Sequence, residues 1–289
     1  MYKRQAYDAP GAFELGLCGA SYAARMFGIT AGYHRYFAHR SFECGRGTQL
    51  ALGVLGAAAW QKGPLWWAAH HHEHHAHSDT ARDPHSPVSG SLCWAHLGWF
   101  WATTEHDDAP ARFASGASPV ARRFGGELAS SRFPELHVLE AAHAAPGLAL
   151  LAGVSALDGA AGALWGFAVP TVLCWHATFM VNSVCHAWGE RRFQTGDASR
   201  NNALVALLTF GEGWHNNHHM FAWSAAQGLR WYELDLSFAA LRALERCGLV
   251  WNLKVPTAEQ VARVERKNRP PGRRGASRES RPERASAEL

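Results

Sequence analysis

The pattern HxxHH occurs twice in this chain, as His71, His74 and His75 and again as His215, His218 and His219, and a third pair, His34 and His39, is five residues apart. On an α-helix, positions i, i+3 and i+4 leave from one face, so each HxxHH carries three imidazoles into one small volume. The i, i+5 pair points two ways on a straight helix, which suits a helix end or two rings serving different ions. Eight imidazoles exceed what one ion takes, since a closed structural zinc site uses four ligands, so the pattern predicts two metals. Neutral imidazole suits Fe, Zn, Cu or Ni, and ligand type alone does not choose among them. The competing reading is a chance gathering of surface or core histidines. It fits a lone histidine better than three clusters, two of identical helical spacing. Among the other histidines, His70, His72 and His77 adjoin a cluster and either orient ligands or are solvated. His96, His106, His137 and His143 read as ordinary, and His176 as packed or hydrogen-bonded in its helix.

The chain's 289 residues, 47% of them hydrophobic, suffice for one large unit, and 13 tryptophans suit a protein at a lipid–water boundary. From Glu265 to Leu289 there are eight arginines or lysines and four glutamates, so this tail carries the whole net charge of +4. It contains Pro270, Pro271, Gly272 and Gly275 and no interleaved aromatics, which predicts a disordered segment near anionic lipid and no nucleic-acid partner. The six cysteines show no framework spacing, in keeping with a reducing compartment, and the N-terminus does not read as a secretory signal.

The expected fold is all-α: membrane helical hairpins carrying a His-rich helical cap on the cytosolic side. Gly11 to Thr30 is a weak span because Glu14 and Arg25 lie inside it. Gly47 to Trp60 has the length of a re-entrant or interfacial helix. The strongest signal is Ala141 to Val184, two apolar stretches meeting at the turn dipeptide Asp158-Gly159, of which Ala160 to Val181 is long enough to cross about 30 Å of hydrocarbon. Mean hydropathy is −0.21, which the polar His-bearing regions at 33–46, 70–89 and 189–222 and the basic tail account for. Thr104 to Pro134 reads as a cytosolic connection. A desaturase-type domain at 1–264 and a basic tail at 265–289 is the expected division, with the first transmembrane helix expected to be missing or truncated.

Four segments carry a family resemblance: GITAGYHRYFAH (Gly28 to His39), WWAAHHHEHH followed by DPH (Trp66 to His75, Asp83 to His85), NSVCH (Asn182 to His186) and GEGWHNNHH (Gly211 to His219). Together they resemble the membrane fatty acyl desaturases, in particular the delta-9 acyl-CoA branch of bacteria and animals. The resemblance implies two irons, cycling between Fe2+ and Fe3+, held by His34, His39, His71, His74, His75, His186, His215, His218 and His219, with Asn182 holding a metal-bound water. It implies O2 as co-substrate and a cis double bond made in a long-chain acyl group whose tunnel bends at Gln61, Trp67 and Thr178. Asp83 and Glu212, with Asp79, Glu190 and Asp197, are the carboxylates placed to orient the rings. Zinc is the expected mismetallating ion. No HPGG motif of a fused cytochrome b5 is present, so an external donor (ferredoxin, cytochrome b5 or similar) is expected, and Arg35, Arg40, Arg191, Arg192 and Arg200 either attract such an acidic partner or mark the cytosolic face. The bacterial cytoplasmic membrane, with its lipid as neighbour, is the expected location. Ala69-His70 stands where the animal acyl-CoA enzymes have Arg-Asp, which leaves CoA, acyl carrier protein and intact lipid open as carriers. The rivals are a di-iron hydroxylase or alkane monooxygenase, a non-catalytic membrane metal-binding protein, and an inactive paralogue.

Overall fold

A computed structural model describes residues 9–102 and 132–268. Most of the expected connection at 104–134 and of the basic tail lies outside the described residues. By internal contacts the chain divides into Met1–Val255 and Pro256–Leu289. In the second unit a helix, Ala258–Lys267, begins at a Thr257–Gln260 capping box and runs across the boundary expected at 264/265.

In the first unit nearly all regular structure is helical, and the only sheet among the described residues is a two-residue ladder, β1 (Glu43–Cys44) against β2 (Val250–Trp251). Helix α1 (Ala12–Phe27) continues without a break into a π-helical segment, Gly28–Ala38. Its last turn closes with the His39 amide donating to the His34 carbonyl at 3.1 Å, an i→i−5 bond that widens the turn by one residue. Such widened turns are frequent at functional sites. Arg25 does not disturb this helix, because it is buried and its guanidinium donates to the Ser21 carbonyl and hydroxyl, the Thr171 hydroxyl and the Phe167 carbonyl.

Helix α2 (Arg46–Ala57) corresponds to the short apolar run and lies against the π segment. The approach is closer than side chains permit: a Cβ on Gly28 would sit 2.4 Å from the Leu55 carbonyl carbon, and one on Gly32 would sit 2.8 Å from the Leu52 oxygen. One face of α2 (Gln49, Leu52, Gly53, Gly56, Ala57) is therefore core, while Val54 on the opposite side is exposed.

Helix α3 (Pro64–His77) starts with proline in its first turn, where the missing N–H costs nothing. Two of its orphan amides, Leu65 and Trp66, donate to the Glu140 carboxylate at 2.8 and 3.2 Å, so a helix distant in sequence, α4 (Pro134–Ala141), caps it in trans.

The apolar hairpin turns where expected. Within the continuous helical stretch, Asp158 (φ −146°) and Gly159 (φ 56°) leave helical geometry and separate two arms. A Cβ on Gly162 would lie 2.0 Å from the Val154 oxygen, so the arms touch through backbone next to the turn. The first arm, the Ala145–Leu157 part of helix α5 (Ala145–Ala161), is on the order of 20 Å long; the second, from Ala160 through helix α6 (Val169–Ser183) to His186, is on the order of 40 Å. Ala145–His186 is the one described stretch long and apolar enough to cross a membrane, its most apolar 18-residue window having a mean hydropathy of 1.6. Helix α1, with Glu14 and Arg25, is not of that kind. After α6 the chain runs through the short helices α7 (Ala203–Leu208) and α8 (His215–Met220) to α9 (Leu236–Arg246).

Candidate metal centre

The π segment and its cap supply His34 and His39, α3 supplies His71, His74 and His75, the turn after α6 supplies His186, and α8 supplies His215, His218 and His219. Their ring nitrogens gather in two groups: His34, His39, His71, His75 and His218 in one, and His74, His186, His215 and His219 in the other, with the candidate ligand atoms of each group within 4.8 Å of one another. His34 and His39 thus join the same group. The widened last turn brings the i, i+5 pair onto one side, which settles that alternative.

Each HxxHH straddles both groups. The i, i+4 pair of α3 (His71, His75) enters the five-ring group and its i+3 ring (His74) the other. In α8 the i, i+4 pair (His215, His219) enters the four-ring group and its i+3 ring (His218) crosses over. The one-volume expectation is corrected accordingly: rings at i+3 and i+4 leave a helix about 100° apart, enough to reach two neighbouring centres.

All nine rings turn Nε2 inward. Nε2 of His34 lies 3.1 Å from that of His218, and the corresponding separations are 2.7 Å for His39 and His71, 2.9 Å for His75 and His218, 3.0 Å for His186 and His215 and 3.3 Å for His74 and His219. On the outward side, His74 Nδ1 lies 3.0 Å from both oxygens of Asp83, His186 Nδ1 is 2.9 Å from Asp79, His219 Nδ1 is 2.9 Å from Asp197, and His34 Nδ1 meets Glu212. A ring that donates its Nδ1–H to a carboxylate presents a bare lone pair at Nε2. His74 and His219 are both fixed in this way, so two lone pairs face each other at 3.3 Å. Unless a proton on His74 bridges them, that contact is repulsive without a cation among the rings. The donor set therefore fits metal ions, and the carboxylate–imidazole arrangement is the one that orients ligating histidines.

The protonation states agree. Burial, reinforced by the neighbouring rings, pushes His71, His75, His215 and His218 well below the usual imidazole range, so at neutral pH they are uncharged and ready to ligate. Burial also lowers His219, to about 4, against the opposing bond to Asp197. In His74 burial acts in the same direction but the Asp83 carboxylate outweighs it and raises the ring. Burial alone would raise Asp79, yet its bond to His186 takes it down to about 2; Asp83 and Asp197 are likewise held well below the usual carboxylate range by His74 and His219.

Two expectations about charged residues are corrected. Glu190 orients no ring; it is exposed and pairs with Arg230 at 3.2 Å. Arg35 is not available to a partner protein, because it is buried and bridges Glu212 at 3.1 Å and Asp235 at 3.0 Å. Other participants were not singled out from the sequence at all. Gln227 donates to Glu212 at 2.7 Å. Asn216 and Asn217, which read as spacers, are buried: Asn216 bonds the Phe193 and Ser199 carbonyls, and Asn217 bonds Asn201, Gln227 and Glu233. Buried amides between ligands are the one signal that points to them, since a solvated spacer has no need of them. His96 and His176 pair with each other at 2.9 Å, away from both groups.

A pocket lies against the rings, lined among others by His34, His71, His74 and His215. Gln61, Trp67, Thr178 and Asn182 all border it. Gln61 Nε2 donates to the Thr178 hydroxyl at 2.7 Å, and Trp67 stacks on His71 with ring centroids 5.0 Å apart and planes 23° from parallel. His70 lies face to face on Trp66 at 3.7 Å, so the position where animal acyl-CoA enzymes carry aspartate is used here in the pocket wall.

Helices that bring two adjoining all-histidine groups together, next to an apolar hairpin and a pocket, define a protein with metal-capable histidine cradles. The chain belongs to the fatty acid desaturase family, whose model matches residues 13–251. It is 35% identical over 264 residues to the acyl-CoA C20 Delta5-desaturase of Anemone leveillei, covering 90% of this chain and 81% of the relative. It is 37% identical over 234 residues to the sn-1 stearoyl-lipid 9-desaturase of Anabaena variabilis, covering 81% and 80%. To the chloroplastic palmitoyl-monogalactosyldiacylglycerol delta-7 desaturase of Arabidopsis thaliana it is 35% identical over 244 residues, covering 83% of this chain and 61% of that longer protein.

Proposed function

We propose that the chain is an O2-dependent desaturase that introduces a cis double bond into a long-chain fatty acyl group, with two iron ions held by the nine histidines. The observation that carries this reading is the inward convergence of nine Nε2 atoms in two groups beside one pocket. Iron, when bound, supplies with O2 an oxidant strong enough to take hydrogen from an unactivated methylene, which no side chain does. The residues of the chain supply position. His34, His39, His71, His75 and His218 would hold one ion; His74, His186, His215 and His219 would hold the other, with Asn182, four residues before His186, beside it. Trp67 joins the pocket wall to the ring of His71, and the Gln61–Thr178 bond ties α6 to the segment before α3 at the point where an acyl chain would bend.

The apolar hairpin supports membrane insertion, and the bacterial cytoplasmic membrane with the histidine cradle on the cytosolic side is the proposed setting, with an external one-electron carrier as donor. The relatives are named for double bonds at positions 5, 7 and 9 and for acyl groups on CoA and on lipid. Delta-9 acyl-CoA desaturation, implied by the motif resemblance, is the first specificity to test; His70, stacked on Trp66, stands where the animal acyl-CoA enzymes carry aspartate, which favours assaying lipid-linked acyl chains alongside.

Gas chromatography with double-bond location, in a host expressing the chain, tests the reaction. Desaturation gives a product about 2 Da lighter than its substrate and hydroxylation one about 16 Da heavier, so the second result would replace this reading with the monooxygenase one. Thr178→Val keeps the shape of the side chain and removes the hydroxyl that Gln61 bonds. Because displacements of about 1 Å at a reacting carbon cost up to roughly 100-fold, the variant is expected to yield a changed ratio of positional isomers at reduced rate. Wild-type isomers at the wild-type rate would show that this bond does not position the chain.

A further inference from the structure

We infer that the two metal pockets are unequal, and that the four-histidine pocket, backed by three aspartates, takes up its ion first and holds it more tightly than the five-histidine pocket. The inference rests on the metal reading above and concerns what stands behind the rings. In the four-histidine group, three of four rings are anchored through Nδ1 to carboxylates: His74 to Asp83, His186 to Asp79 and His219 to Asp197. Those aspartates are held in turn by neutral groups. The Asp79 amide donates to Asp83 at 2.8 Å, the Ala198 amide to Asp79 at 2.7 Å, Ser86 to Asp79 at 2.6 Å, and Thr195 to Asp197 at 2.7 Å. No arginine or lysine among the described residues pairs with any of the three carboxylates, so their charge is directed at the rings.

The five-histidine group is built differently. Among the described residues one carboxylate, Glu212, reaches one of its rings, His34, and Arg35 takes up that carboxylate together with Asp235. Counting Arg35 with both its partners leaves one net negative charge behind this pocket, against three behind the other. Each group also holds one ring whose Nδ1 is buried with no partner, His218 here and His215 in the other, so those two rings do not distinguish the pockets. The five-histidine pocket does have one more imidazole, but the extra ring is neutral and has no carboxylate behind it. A carboxylate behind a ligating imidazole makes it a better donor and fixes its orientation, and losing one costs roughly 10–100-fold in metal affinity. Two more such partners outweigh one additional neutral ligand, which sets the order of loading and makes the five-histidine ion the first to leave under a chelator.

The test uses the full-length apoprotein in detergent with Zn2+ alone as the probe. At one equivalent of zinc, anomalous scattering at the zinc edge is expected to place the ion among His74, His186, His215 and His219. Zinc found first among His34, His39, His71, His75 and His218, or divided equally, overturns the inference while leaving the two-metal reading intact. A protein that binds no zinc at either place sinks the two-metal reading itself. Chelator competition gives a second readout: Asp79→Asn with Asp197→Asn is expected to weaken the tighter site by roughly 100-fold or more, whereas Glu212→Gln weakens only the looser one. Equal effects of both changes on both sites would contradict the assignment. The wild-type location decides the question even if a variant fails to fold.

Discussion

Exchange of His218 for alanine is expected to eliminate unsaturated product and to leave one metal ion per chain in place of the two proposed for the wild type. His218 is central to its group: its Nε2 lies 3.1 Å from that of His34 and 2.9 Å from that of His75, and its ring is buried. Losing a group behind a ligand already costs roughly 10–100-fold in metal affinity or activity, and losing the ligand itself costs more. The ring is held by packing rather than by a bond at Nδ1, so its removal strands no carboxylate and the fold should persist with a small cavity. The measurements are fatty-acid profiling of an expressing host and metal content of the purified protein. His176→Ala is the matched comparison, since that ring is exposed and pairs with His96 outside both groups, and it is expected to leave product and metal content unchanged. Wild-type product from His218→Ala would remove the five-ring group from the chemistry.

The two HxxHH repeats made much of this centre legible, because helical spacing alone states that three rings leave together. It does not state where each ring ends. Whether His74 joins His71 depends on α8 crossing nearby with the same pattern, and that is decided by tertiary packing. The pair His34 and His39 was ambiguous for a related reason: on an α-helix five residues overshoot one turn, and the His39 amide bonding the His34 carbonyl is a backbone event with no side-chain signature. Asp79, Asp83 and Asp197 stand close to histidines in sequence and were visible as candidates. Glu190 is equally close and is spent on Arg230, a partner forty positions away that proximity along the chain does not reveal. Arg35 shows the converse error, since a basic residue beside a polar motif reads as surface until Asp235 and Glu212 are seen to enclose it. The hairpin turn at Asp158-Gly159 was legible because it needs a positive φ, and Gly159 supplies it.

Gly28→Val is expected to be among the most destabilising single changes in the chain, by at least about 3 kcal/mol, the upper end for overpacking a core. The obstacle is backbone: a Cβ at Gly28 would lie 2.4 Å from the Leu55 carbonyl carbon and 2.5 Å from the Gly56 amide nitrogen, and no rotamer change in α2 relieves that. The helices must separate, and the cost reaches the metal centre because Gly28 opens the π segment that ends at His39. Moving that segment by an ångström or two would draw His34 from His218 and His39 from His71, contacts now at 3.1 and 2.7 Å. The expected result is a lowered unfolding temperature in detergent and loss of metal from the five-histidine group before the other. Gly19→Ala in α1 provides the contrast, because a Cβ there meets nothing within 4 Å and the exchange removes a helix-weakening glycine. It is expected to be neutral or to stabilise by up to about 1 kcal/mol. If Gly28→Val unfolds at the wild-type temperature with both ions bound, the close approach of α2 is not what holds the first histidine pair in place, and the alignment of His34 with His218 must come from α3 and α8 alone.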